Sequence, residues 1–232
     1  MANQFTYLGH GTFKVKTSQG KIILIDPWVM GNPACPNNLK QFDKIDLMLI
    51  THAHFDHIAD AVELAKKYKP QVVCIFETAL WLQSKGTENT RDMNKGGSII
   101  IDGIKITMVH ADHSCGILDG EKVIYGGEAV GYVVRLEDGF TFYHAGDTNV
   151  FGDMKIIGEL YHPELALLPI GDLYTMSPYE AAYAIKLLRC KKIIPMHFGT
   201  FPPLVGTPDE LKKLTQGIKG VQIIAMKPGD VK

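Results

Sequence analysis

Short strand-like runs separated by turns fill the first third of the chain. Residues 5–9 (FTYLG), 11–17 (GTFKVKT) and 21–27 (KIILIDP) are rich in β-branched and aromatic side chains. Ser18-Gln19-Gly20-Lys21 supplies a hairpin turn between the last two. A continuous apolar run opens residues 46–52 (DLMLITH) and predicts a buried strand. Ile58, Ala61, Val62, Leu64 and Ala65 then recur at helical spacing until Pro70 stops the helix. Residues 71–76 (QVVCIF) predict a further strand, and 78–85 a short helix ended by Gly86. Residues 98–113 read as two strands joined by a tight Asp102-Gly103 turn.

The second half repeats the alternation. Residues 129–147 predict a hairpin turning at Glu137 to Gly139, and 165–171 (LALLPIG) another strand. A helix then runs from Pro178 to about Arg189, with Ser177 as N-cap, Pro178 at the first helical position and Glu180 three after the cap. A strand at 191–199 (KKIIPMHFG) follows, and Thr207, Pro208 and Glu210 open one more helix. No linker, repeat or low-complexity tract interrupts this order. The pattern predicts one α/β domain over residues 1–232.

Composition narrows the function classes. A formal net charge of -1 lacks the basic footprint of a nucleic-acid binder. No apolar run is long enough to span a bilayer, and the first residues lack the pattern of a signal peptide, so a cytoplasmic protein is expected. The four cysteines, Cys35, Cys74, Cys115 and Cys190, form no C-x-x-C pair and read as reduced thiols.

The histidines carry the chemistry. Seven of the nine stand at the ends of four apolar runs: His52, His54 and His57 in THAHFDH, His110 and His113 in HADH, His144 in HAGD, and His197 in MHFG. In an extended segment residues two apart point the same way, so His52 and His54 can grip one ion while Asp56 and His57 face a neighbouring position. His113 can complete a three-histidine site. Asp56, His57 and His197 make a second site that needs a shared carboxylate, which Asp147 can supply. Imidazoles and carboxylates suit Zn or Mn, with Fe or Ni also accepted.

THAHFDH resembles the H-x-H-x-D-H signature of the metallo-β-lactamase superfamily. The further motifs follow in family order at His113 (DHSCG), Asp147 (AGDT) and His197 (PMHFG), and the resemblance extends from YLGHGTF and IDPW to IIAMKPGD. It is nearest to the cytoplasmic metal-dependent hydrolases related to L-ascorbate-6-phosphate lactonase. The resemblance implies an αββα sandwich and a dinuclear site with His113 on the first ion and Asp147 bridging. His113, followed by Ser-Cys-Gly, fits the ligand motif, which leaves His110 a structural role. His144 is expected to orient a ligand or touch substrate, and Asp26 to hydrogen-bond the THAHFDH loop or cap the turn before Pro27. His10 fits a place near the site mouth or an ordinary turn. Asp147 stands where the antibiotic-degrading members usually carry Cys, and His54 where flavodiiron members carry Glu.

Such a site implies two divalent ions sharing a water, whose hydroxide attacks an electrophilic carbonyl or phosphorus. Asp56 is the candidate to accept and relay the proton. The expected activity is hydrolysis of an ester, lactone or similar bond of a small molecule. The alternatives are a phosphodiesterase acting on a nucleotide or phospholipid-type substrate, and a metal-dependent regulatory protein with an idle site. Neither nucleic acid nor membrane is an expected partner, and homo-oligomer formation stays open.

Overall fold

Alternating apolar and polar positions over residues 4–16 give the first sheet a hairpin, and continuous apolar runs at 22–25, 47–49 and 72–75 give it buried strands. The computed structural model describes residues 2–232. Within these the chain divides into two compact units, both assembled from separated segments. The first comprises residues 2–95, 114–129 and 227–232; the second comprises 96–113 and 130–226.

The first unit is built on a six-stranded sheet in sequential order: β1 (Gln4–Gly9), β2 (Thr12–Lys16), β3 (Ile22–Ile25), β4 (Leu47–Leu49), β5 (Gln71–Ile75) and β6 (Thr90–Met93). The three N-terminal strands are antiparallel, and from β3 to β6 neighbours run parallel. Three helices follow β4 and β5: α1 (Phe55–Ile58), α2 (Ala61–Tyr68) and α3 (Phe76–Ser84). Ala61, Leu64, Ala65, Ala79 and Leu82 from the longer two pack on Leu24, Met48, Ile50, Val72 and Cys74. Each fully buried Leu, Ile or Val contributes about 1.5–3 kcal/mol.

The periodicity at 58–65 predicts one helix, but the structure breaks it at Ala59-Asp60. There the Asp60 N–H donates to Pro27 O (3.0 Å) instead of along the helix, and the Asp60 carboxylate accepts the backbone N–H groups of Val29 (2.5 Å) and Met30 (2.8 Å). A small hairpin, β9 (Gly116–Asp119) with β10 (Lys122–Tyr125), also belongs to this unit.

The second unit carries a seven-stranded sheet, spatial order β15-β14-β13-β12-β11-β8-β7. In chain order these are β7 (Ser98–Ile101), β8 (Ile104–His110), β11 (Val130–Arg135), β12 (Thr141–His144), β13 (Leu165–Pro169), β14 (Lys192–Met196) and β15 (Gln222–Ile223). Asp102 and Gly103 both have positive φ in the β7–β8 turn, as a two-residue hairpin turn requires. From β12 to β15 all neighbours are parallel, so their C-terminal ends leave one edge together.

Helices α4 (Met154–Tyr161), α5 (Pro178–Leu188) and α6 (Pro208–Leu214) cover that sheet, burying Met154, Ile157, Ala181, Ala184, Ile185 and Leu211. At α5 the capping box forms: the Ser177 hydroxyl accepts from Glu180 N, and the Glu180 carboxylate accepts from Ser177 N at 2.8 Å. Among the described residues no helix is long and apolar enough to cross a membrane.

Candidate metal centre

In the first unit the chemistry gathers where β1, β3 and β4 end. The chain leaves β4 extended through Thr51 to His54, which caps α1. Period-two geometry puts the His52 and His54 rings side by side, with His52 Nε2 3.1 Å from His54 Nδ1. One turn into α1 brings the buried His57 ring to 4.1 Å from that of His52, centroid to centroid. The Asp56 Oδ2 atom lies 3.9 Å from His57 Nε2 and 2.8 Å from Nε2 of the buried His10. Ligand-type atoms of His10, Asp56 and His57 all lie within 4.8 Å of one another.

Asp26, buried beneath this group, organises it. Its carboxylate accepts from Thr51 N (2.7 Å), Thr51 Oγ1 (2.7 Å) and His57 Nδ1 (2.8 Å). A carboxylate only accepts, so Nδ1 carries the proton and a neutral His57 keeps its lone pair at Nε2. His10 and Asp26 both adopt left-handed backbone, φ +59° and +50°, a strained conformation that clusters at functional sites. Gly11 is required for a different reason: a Cβ there would stand 2.7 Å from His57 Cε1.

In the second unit Asp147 follows β12 and His197 follows β14, again with positive φ (+55°) at His197. Asp147 Oδ2 lies 2.8 Å from His197 Nε2 and 3.9 Å from His113 Nε2. The loop after β8 is tied to the Asp147 turn by Asp112 N donating to Thr148 Oγ1 (2.9 Å) and Asn149 N donating to Asp112 O (3.0 Å). Buried His144 accepts from Gly146 N at Nδ1 (3.2 Å) and so shapes the turn that presents Asp147. His110 is exposed and meets the Phe151 ring edge-on, centroids 4.8 Å apart.

Sequence reasoning passed over Thr51, Thr148 and Ser114, whose hydroxyl lies 3.3 Å from His54 Nε2. Their signal was adjacency to a candidate ligand. Cys115 is buried, donates to Gly126 O (3.3 Å), and has its thiol pKa pushed up by burial.

The donor set fits a divalent cation. Two nitrogens about 2.0–2.1 Å from one tetrahedral ion are separated by about 3.3 Å. His52 Nε2 and His54 Nδ1 stand at 3.1 Å. Across residues 21–198 the sequence matches the family model described as a beta-lactamase superfamily domain. The chain belongs to this superfamily. Among its relatives, a UPF0173 metal-dependent hydrolase of Koribacter versatilis is 60% identical, covering 98% of this chain and 96% of the relative. Another of that description, from Methanopyrus kandleri, is 45% identical with 98% of each chain covered. The solved structure of Igni18, a metallo hydrolase of Ignicoccus hospitalis, superposes with a TM-score of 0.88 at 37% identity, covering 99% of this chain and 97% of that one. The mixed α/β architecture is therefore the metallo-β-lactamase fold, and this superfamily member is a metal-dependent hydrolase with histidine and aspartate clusters able to bind metal.

Proposed function

We propose that residues 1–232 act as one domain that hydrolyses an ester, lactone or similar bond of a small cytoplasmic metabolite, using two divalent ions, zinc or manganese foremost. His52, His54 and His113 are assigned to one ion, Asp56, His57 and His197 to the other, and Asp147 to both. The order of the motifs supports this assignment. The observation that carries it is the pair of ring nitrogens from His52 and His54, set 3.1 Å apart by two-residue spacing in an extended segment.

Bound there, the ions would polarise the scissile carbonyl and bring the pKa of a coordinated water towards neutrality. The chain's own contribution is positioning and proton handling. Asp26 fixes the His57 tautomer through the 2.8 Å bond to Nδ1. Asp56 takes up the proton released in the attack at Oδ2, where His10 Nε2, 2.8 Å away, can share it.

Metal analysis of reconstituted protein, together with a panel of lactones, esters and phosphodiesters, tests the reading. The expected result is two ions per chain with turnover of lactones or esters. One ion at most after loading with zinc or manganese overturns the dinuclear assignment. Turnover of phosphodiesters alone overturns the substrate class, and tight metabolite binding without any turnover replaces the enzyme with a regulatory protein.

A further inference from the structure

Between Asp147 and His197 in the second unit runs a loop that the metal assignment does not use. Strand β13 lies between β12 and β14, all three parallel, so residues 170–176 emerge at the edge where Asp147 and His197 also stand. Ligands of parallel sheets bind outside such carboxyl ends. Backbone bonds pin the loop on both sides: Met176 N donates to Thr148 O (3.1 Å) and Ile170 N to Met196 O (3.0 Å). A Cβ on Gly171 would meet the His197 carbonyl oxygen at 2.1 Å, so the loop lies directly against the His197 turn.

Two consecutive residues of this loop, Asp172 and Leu173, have left-handed backbone, φ +67° and +50°. Aspartate tolerates that region; leucine does not, and glycine or asparagine would occupy it with less strain. Leu173 is nevertheless 64% exposed, so packing within the chain does not repay the conformation. Its neighbour Tyr174 is 56% exposed. Val205, 66% exposed, comes from the turn whose Gly206 N donates to Gly171 O (3.4 Å).

Charge points the same way. Residues 144–152, 170–179 and 197–207 contain no Lys or Arg. Phosphate and carboxylate groups of a substrate are ordinarily held by these cations. We propose that Leu173, Tyr174 and Val205 form an apolar subsite beside Asp147 and His197, which takes an uncharged aromatic or aliphatic group of the substrate. This rests on the hydrolase reading above and narrows it to neutral, apolar esters or lactones.

The test uses metal-loaded protein with labelled leucine and valine methyl groups. Titration with 2-phenylethanol should shift the Leu173 and Val205 methyl signals saturably, whereas methyl phosphate should leave them in place. No movement with 2-phenylethanol, or equal movement with methyl phosphate, overturns the subsite. In parallel, kcat/KM is measured along a γ-lactone series of growing tail. The expected gain is roughly threefold to fourfold per buried methylene. That gain should flatten in Leu173→Ala and in Leu173→Gly, the latter also relieving the strained backbone. A flat series in the wild type overturns the subsite while leaving the hydrolase reading intact. If no lactone or ester is hydrolysed, the hydrolase reading falls, and the methyl titration still decides the subsite by itself.

Discussion

Replacing Asp26 with Asn tests whether the buried carboxylate governs metal binding through the His57 tautomer. Asn keeps the size of the side chain and one acceptor, which can still receive Thr51 N–H, now 2.7 Å from Oδ1. The other oxygen becomes an amide NH2 facing Thr51 Oγ1 at 2.7 Å and His57 Nδ1 at 2.8 Å. The hydroxyl can turn and accept; the ring N–H cannot. Two donors then oppose each other in a site closed to water, at a cost of about 1–3 kcal/mol. At about 2–4 °C per kcal/mol for a chain of this size, the melting temperature should fall by roughly 2–12 °C.

Moving the His57 proton to Nε2 would relieve the clash but remove the lone pair assigned to the second ion. Loss of such a supporting partner weakens metal affinity by about 10–100-fold. Competition titrations against a chromophoric chelator, with thermal melts on the same preparation, should find one ion held normally and the other weakly. An Asn variant that binds both ions with wild-type affinity and melts with the wild type would refute the reasoning. Asp26→Ala, which strands all three donors, should cost more, about 3–5 kcal/mol.

Two further outcomes follow from the site and the core. Asp56→Asn should retain most of its metal while turnover falls by about 10²–10⁴-fold, because the amide offers an oxygen but cannot take up a proton; full turnover at full occupancy would send the proton elsewhere. Burial pushes up the thiols of Cys35, Cys74, Cys115 and Cys190, the last to about 11. The unfolded chain therefore loses these protons first as pH rises, and stability should fall above about pH 9 by up to about 1.4 kcal/mol per pH unit for each thiol that titrates only when unfolded. Urea titrations from pH 8 to 10 check this, and a flat midpoint contradicts it.

What could be read in the sequence was the local chemistry. Ser177, Pro178 and Glu180 sit within four residues, so the start of α5 needed no tertiary information. His52, His54, Asp56 and His57 were similarly legible, since strand and helix spacing alone aims their side chains. The break before α2 was hidden because the Asp60 N–H is taken by Pro27 O, and its carboxylate by Val29 and Met30, about thirty residues earlier in the chain. Asp26 stood out as a candidate, but its three donors are contributed by residues 25 and 31 positions away. His10 could not be separated from a turn histidine until β1 and α1 were brought together, placing it 2.8 Å from Asp56. No composition rule flags Leu173, whose positive φ is visible only in the folded loop that Thr148 and Met196 hold at its two ends.

The first unit closes its sheet edge with the far end of the chain: Phe5 and Lys232 exchange backbone hydrogen bonds, and Tyr7 N donates to Asp230 O. These partners stand more than two hundred residues apart in the sequence, so the outer edge of β1 lies unpaired in any folding intermediate that lacks this contact. An unpaired strand edge recruits other chains, which makes such an intermediate the form of the molecule most open to aggregation. A contact of that sequence separation also slows folding, because the long intervening loop must close before the pairing can reward it.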